Sequence, residues 1–209
     1  MRLYLSSFRI GNCPERLLEL ARGGSRAAVI ANAMDAAPAG VRGEAVQLEL
    51  GALSELGLDA EEIDLRSPGI SDGLADYDIL WFRGGNTFVL RSALARSGSD
   101  AVVRQLLAKD RLVHAGYSAG VCVLAPSLRG LEAVDPPDDV VATYGEPPIW
   151  EGLGVLDHAV VPHVSSPGHH ESEACTAVAD RYREVGVAHV ALRDGQVLVV
   201  DGSTSGICG

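Results

Sequence analysis

A serine with a glycine two residues to either side is the residue whose setting most directly suggests chemistry. It is Ser118, in His114-Ala115-Gly116-Tyr117-Ser118-Ala119-Gly120. The pattern G-x-S-x-G, where a β-prone run gives way to a helix beginning near Ala119, is that of a nucleophile elbow. Small neighbours allow a sharp strand-to-helix turn that pushes the hydroxyl out above the sheet. The same turn directs the Ala119 amide to where an oxyanion would form. A glycine-rich turn serving only close packing is the competing reading of so short a motif.

Arg83-Gly84-Gly85-Asn86-Thr87-Phe88 follows the apolar run Asp78–Phe82 and opens the next helix. Two residues without Cβ at the carboxyl end of a parallel strand let main-chain amides approach a ligand, so Gly85 N–H is expected as the second oxyanion donor. Asn86 is a candidate for substrate contact and for the helix N-cap. A phosphate loop is disfavoured, because there is neither a Walker lysine nor a G-x-G-x-x-G.

A serine hydroxyl needs an imidazole to take its proton. Among six histidines, His163 in Val161-Pro162-His163-Val164, at a strand end beside a loop, is the preferred base. His169 and His170 lead into a helix and are candidates for substrate binding, while His114 reads as packed within its strand. The orienting acid is expected in the loop after the elbow, where Glu132, Asp135, Asp138 and Asp139 crowd together, with Glu132 or Asp135 the natural candidates. Cys122 lies in the apolar run Val121–Leu124 and reads as a packing residue.

Parallel strands must position these groups. Strands are expected at 3–5, 27–31, 62–65, 78–82 and 112–115, alternating with helices at 14–22, 41–56, 87–96 and 100–109. This is a doubly wound, mostly parallel α/β sheet with helices on both faces. In the 41–56 helix, Val46, Leu48, Leu50, Leu53 and Leu56 demand a broad buried face or shifted ends. Asp135–Asp139 and Glu146–Pro148 mark a long loop region. A strand at 159–164, a helix at 170–184 and a C-terminal hairpin pairing 187–192 with 196–200 across Arg193-Asp194-Gly195 complete the reading. Residues 1–209 are expected to form one domain.

The net charge of −11 disfavours nucleic acid or an anionic membrane surface as partner, and no apolar run is long enough for a bilayer. Cys13, Cys122, Cys175 and Cys208 lack metal-ligand spacing and are expected as reduced thiols. With no leader pattern at Met1–Leu5, a cytoplasmic address follows. No metal or cofactor is called for.

Gly116-Tyr117-Ser118-Ala119-Gly120, the upstream Gly84-Gly85-Asn86-Thr87-Phe88 and the downstream Val161-Pro162-His163, in this order across nearly the whole chain, resemble the peptidase E (aspartyl dipeptidase) family of serine peptidases. The resemblance implies a class I glutamine-amidotransferase-like, flavodoxin-like fold. It also implies Ser118 as nucleophile, His163 as base and the Gly85 and Ala119 amides as oxyanion donors. Those dipeptidases carry an aspartate fifteen residues after the serine; Ala133 stands there, so neighbouring Glu132 is the preferred triad acid and Asp135 the alternative. They also carry an arginine in a GETREQR-like stretch after the histidine that pairs with a substrate aspartate. Here the stretch is Glu171-Ser172-Glu173-Ala174, so strict Asp-X cleavage is not expected, and Glu171 and Glu173 become candidates for the α-ammonium of a short peptide substrate. The rival readings are an α/β-hydrolase esterase, an amidotransferase-like enzyme and a non-catalytic binding protein. A second copy of the chain, as a homodimer, is a candidate partner.

Overall fold

The computed structural model describes residues 1–209, built around a seven-stranded sheet. Strands β1 (Arg2–Ser6), β2 (Arg26–Ile30), β3 (Asp59–Glu62), β4 (Ile79–Phe82) and β5 (Val113–Tyr117) run parallel in the order β3-β2-β4-β5-β1. A separate parallel pair holds β6 (Ala159–Val161) and β7 (His189–Ala191). β8 (Val197–Asp201) and β9 (Thr204–Cys208) extend the main sheet antiparallel beyond β1. The carboxyl ends of β4, β5 and β1 therefore lie side by side, the edge at which open parallel sheets bind ligands.

Alternation along each strand divides the core. Leu3, Leu5, Leu80 and Phe82 pack on one face, with α3 (Thr87–Arg96) and α4 (Ser99–Ala108). Tyr4, Val29, Ile79, Trp81 and Tyr117 pack on the other, with α1 (Pro14–Ala21) and α2 (Ala39–Glu55). The elbow helix α5 (Ala119–Cys122) follows β5 directly, and α7 (Ser172–Val185) leads from the His163 loop to β7. No helix is long and apolar enough to cross a membrane.

The doubly wound expectation holds, with local corrections. β3 lies at 59–62 rather than 62–65, because it pairs with Arg26–Val29 as a charged edge strand. Leu65 instead turns into the core, its amide bonded to Asn32 Oδ1. A short helix, α6 (Asp138–Tyr144), forms inside the expected loop region. The C-terminal hairpin exists one strand later than read: β8 pairs with β9 across Gly202-Ser203, and the 187–192 segment pairs with β6. The buried stripe of α2 is Arg42, Ala45, Val46, Glu49 and Leu53, while Leu48 faces solvent. No broad apolar face is needed, because two charged residues occupy that stripe. Finally, Cys13 and Cys208 form a disulfide that ties the start of α1 to β9, so only Cys122 and Cys175 are free thiols, both buried.

Candidate active site

Backbone geometry at Ser118 is that of a tight elbow: φ is 50° and ψ −117°, a conformation a non-glycine residue avoids unless its surroundings impose it. The surroundings do so. Gly116 sits between Leu5 and Phe82 in the sheet, and a Cβ on it would lie 2.2 Å from Phe82 O. A Cβ on Gly120 would lie 2.3 Å from the same oxygen. Both glycines are thus required by the end of β4. His114 is buried, stacks on Phe82, and its Nε2 meets Gly120 O at 2.8 Å. Burial pulls its pKa down to about 4, so it is a neutral donor that pins α5, in keeping with its reading as a packed residue.

Tyr117 is fixed from the opposite face. Its hydroxyl donates to Glu49 Oε1 at 2.7 Å, Trp81 Nε1 donates to Glu49 Oε2 at 2.8 Å, and Arg83 Nε lies 3.5 Å from Glu49. Beside it, Gly84 and Gly85 carry the chain past the elbow. A Cβ on Gly84 would come within 2.9 Å of Ser118 Cβ, and one on Gly85, at φ 145°, within 2.6 Å of Ala33 O. Neither the Gly85 nor the Ala119 N–H is used in a turn or cap hydrogen bond.

The imidazole of His163 is almost wholly buried, and the residue has a left-handed φ of 60°. Its amide donates to Ser7 Oγ at 2.8 Å, and its Nδ1 meets Asp194 Oδ1 at 2.7 Å. A carboxylate only accepts, so Nδ1 carries the proton and Nε2 keeps its lone pair. Burial lowers the pKa of His163; Asp194 opposes that shift and neighbouring His169 reinforces it. Asp194 is held in turn by Ser7 Oγ at 2.8 Å and, through its amide, by Ser166 Oγ at 2.8 Å.

The two carboxylates expected beside the imidazole lie elsewhere. Glu132 is exposed and accepts from Gly130 N, away from the imidazole. Asp135 is half-buried, and its carboxylate accepts from Thr87 N at 2.9 Å at the start of α3. The acid that meets His163 is Asp194, in the Asp-Gly turn that reads from sequence as a hairpin connection. Asn86 is likewise committed elsewhere. Its Oδ1 caps α3 at Phe88 and Val89, and its Nδ2 donates to Pro136 O and Asp139.

Ser118 and His163 line one cleft of about 380 Å³, together with Phe8, Arg9, Gly85, His169, His170 and Glu171. No hydrogen bond joins the Ser118 hydroxyl to the imidazole, a contact that in hydrolases commonly tightens on substrate binding. His169 stacks face to face on His163, with centroids 3.7 Å apart and planes 6° apart. Glu173 lies outside the cleft, on an outer surface with Ser166 and Asp180. Ser118 also borders a closed pocket walled by Asp135, Glu171, Cys122, Val161 and Val178, with room for about one water-sized group. Burial there raises the pKa of Asp135 to about 6.

The largest cavity, about 630 Å³, does not include Ser118, and its charged walls are already paired. Asp35 is bonded by Arg42, Asn32 and Tyr144, while Arg96 meets Glu146. His163, His169 and Glu171 bring potential metal-ligand atoms within 4.8 Å of one another. The in-plane lone pairs of two parallel stacked rings run side by side rather than converging, and His169 Nδ1 already accepts from Glu171 N at 3.2 Å, so a metal would require one ring to turn.

The model of peptidase family S51 matches residues 14–207. A peptidase E of Streptomyces coelicolor is 32% identical over 157 residues, covering 73% of this chain and 60% of the relative. An uncharacterised peptidase of Listeria monocytogenes is 28% identical over 118 residues, 55% of each chain. The chain thus matches somewhat over half the length of these relatives. The crystal structure of a Listeria monocytogenes EGD-e protein, provisionally named a peptidase E, superposes with a TM-score of 0.82 over 100% of this chain and 98% of that one, at 20% identity. The elbow, the glycine pair and the histidine thus sit in a fold shared with that structure, and the chain belongs to peptidase family S51.

Proposed function

We propose that the chain is a serine exopeptidase that hydrolyses short peptides through Ser118, His163 and Asp194. The observation carrying this reading is a strained serine elbow opening into the same cleft as an imidazole whose far nitrogen is held by a carboxylate. Ser118 Oγ attacks the carbonyl carbon while its proton passes to His163 Nε2. The Gly85 and Ala119 amides take up the charge on the carbonyl oxygen. Cleavage of the C–N bond delivers the proton from Nε2 to the leaving amine, and water repeats the sequence to free the acyl group. Asp194 holds the tautomer and stabilises the imidazolium that forms.

Two features bear on the substrate. Glu171, with a partly exposed carboxylate in both the cleft and the closed pocket, is placed to meet an α-ammonium, so N-acetylated peptides should be poor substrates. The absence of an arginine at Glu171–Ala174 argues against strict Asp-X cleavage. Because burial lowers the pKa of His163, the base stays neutral until the pH falls below the ordinary imidazole value near 6.5, and the acid limb of kcat/KM belongs there. The test is labelling by a fluorophosphonate beside turnover of a dipeptide library. Labelling that is lost in Ser118→Ala together with peptide turnover supports the reading. Ester turnover alone would make it an esterase, and an unreactive wild-type serine would leave a binding protein.

A further inference from the structure

Ser118 stands at the junction of two spaces that differ in their charge. The closed pocket presents only the carboxyls of Asp135 and Glu171, whereas the open cleft, which Glu171 also borders, contains His163 and two arginines, Arg9 and Arg83. The imidazole that protonates a leaving amine must lie on the leaving group's side of the serine. His163 borders the open cleft and not the closed pocket, so the departing residue belongs in the open cleft.

The two arginines there are not equivalent. Arg83 is committed, with Nε beside Glu49 and Nη1 donating to Gly84 O at 2.7 Å. Arg9 has neither an acidic partner nor a side-chain hydrogen bond; its guanidinium lies 5.3 Å from the centroid of the Phe8 ring. Phe8 in turn packs edge-on against His163, at 5.9 Å, and His169, at 5.1 Å. Arg9 also has a left-handed φ of 50°, strain that persists only where the surroundings hold it. The holding contacts are Tyr4 Oη donating to Ile10 O at 2.6 Å and Ser6 Oγ donating to Phe8 O at 3.2 Å. In a chain of net charge −11, an unpaired cation on a fixed turn beside the base is a specific attractor for a negative group.

Resting on the peptidase reading above, we infer that Arg9 is a specificity-determining residue that binds the free α-carboxylate of the leaving residue. A guanidinium–carboxylate contact that a neutral amide cannot reproduce discriminates by about tenfold to hundredfold. The experiment takes the fastest-cleaved dipeptide from the library, its C-terminal amide and its one-residue extension, and measures kcat and KM for wild type, Arg9→Gln and Arg9→Lys. Wild type should prefer the free acid over the amide by at least about tenfold, chiefly in KM. Arg9→Gln should bring that ratio near one, and Arg9→Lys should retain part of it. Equal turnover of acid and amide by wild type, or an unchanged ratio in Arg9→Gln, overturns the Arg9 assignment while leaving the peptidase reading intact. A wild-type enzyme that cleaves none of these substrates and has an unreactive Ser118 overturns both.

Discussion

The two halves of the site are built in different ways. The half around Ser118 is local: Ser118, both elbow glycines and the Ala119 amide come from five consecutive residues, and Gly85 comes from the end of the neighbouring strand. The half around His163 is assembled from afar, with Ser7 after β1, His163 after β6, Ser166 before α7 and Asp194 after β7. Close packing of backbone on backbone holds the first half in place. A few hydrogen bonds between loops, close to a disulfide, hold the second. A motif search finds the first half and misses Asp194 in the second.

This contrast can be broken from either side. The largest effect is expected at Gly116→Ala, where the added methyl would meet Phe82 O at 2.2 Å on a residue with φ 151°. Loss of about 3 kcal/mol or more is expected, read by urea unfolding, and a near-neutral result would mean that the elbow is not set by packing. On the other side, the disulfide clamps the chain next to the turn that carries the acid, because Asn12 N donates to Gly195 O at 2.8 Å beside Cys13. Replacing Cys13 and Cys208 together by serine should cost about 2–4 kcal/mol and raise hydrogen exchange at Asp194–Gln196 more than at 116–120. Equal protection loss in both regions would remove the distinction.

A smaller effect is expected at Asp135, which accepts from Thr87 N and lines the small pocket beside Ser118. Its folded pKa of about 6 exceeds the ordinary carboxyl value, so the folded state binds this proton more tightly than the unfolded chain. Its contribution to stability is fully present below about pH 4 and is lost as the pH rises through 6. Asp135→Asn should therefore gain about 1–3 kcal/mol over wild type at pH 7.5 and close that gap at pH 4. A gap independent of pH would show that the carboxyl is not titrating there.

The parallel sheet and most of its helices were legible because alternation and apolar spacing are local signals, and α3 and the elbow helix fall where those signals place them. Glu49 and Arg42 were not legible, since a charged residue within a helix reads as solvent-facing until Trp81 and Tyr117 are seen bonded to it. Asp194 escaped for a similar reason: Arg193-Asp194-Gly195 has the chemistry of an ordinary turn, and only the pairing of β7 with β6 brings it to His163. Glu132 was favoured by spacing along the chain, which carries no information on where the imidazole's far nitrogen points. The Cys13–Cys208 link joins residues 195 apart and leaves no local trace.

The rate at which a fluorophosphonate modifies Ser118, measured side by side in Asp194→Asn and Glu132→Gln, bears most directly on how the site is wired. Asp194→Asn should slow modification by about a hundredfold or more, since the amide no longer holds the tautomer that leaves Nε2 free, and Glu132→Gln should react like wild type. Slowing in Glu132→Gln with a normal rate in Asp194→Asn would contradict the account.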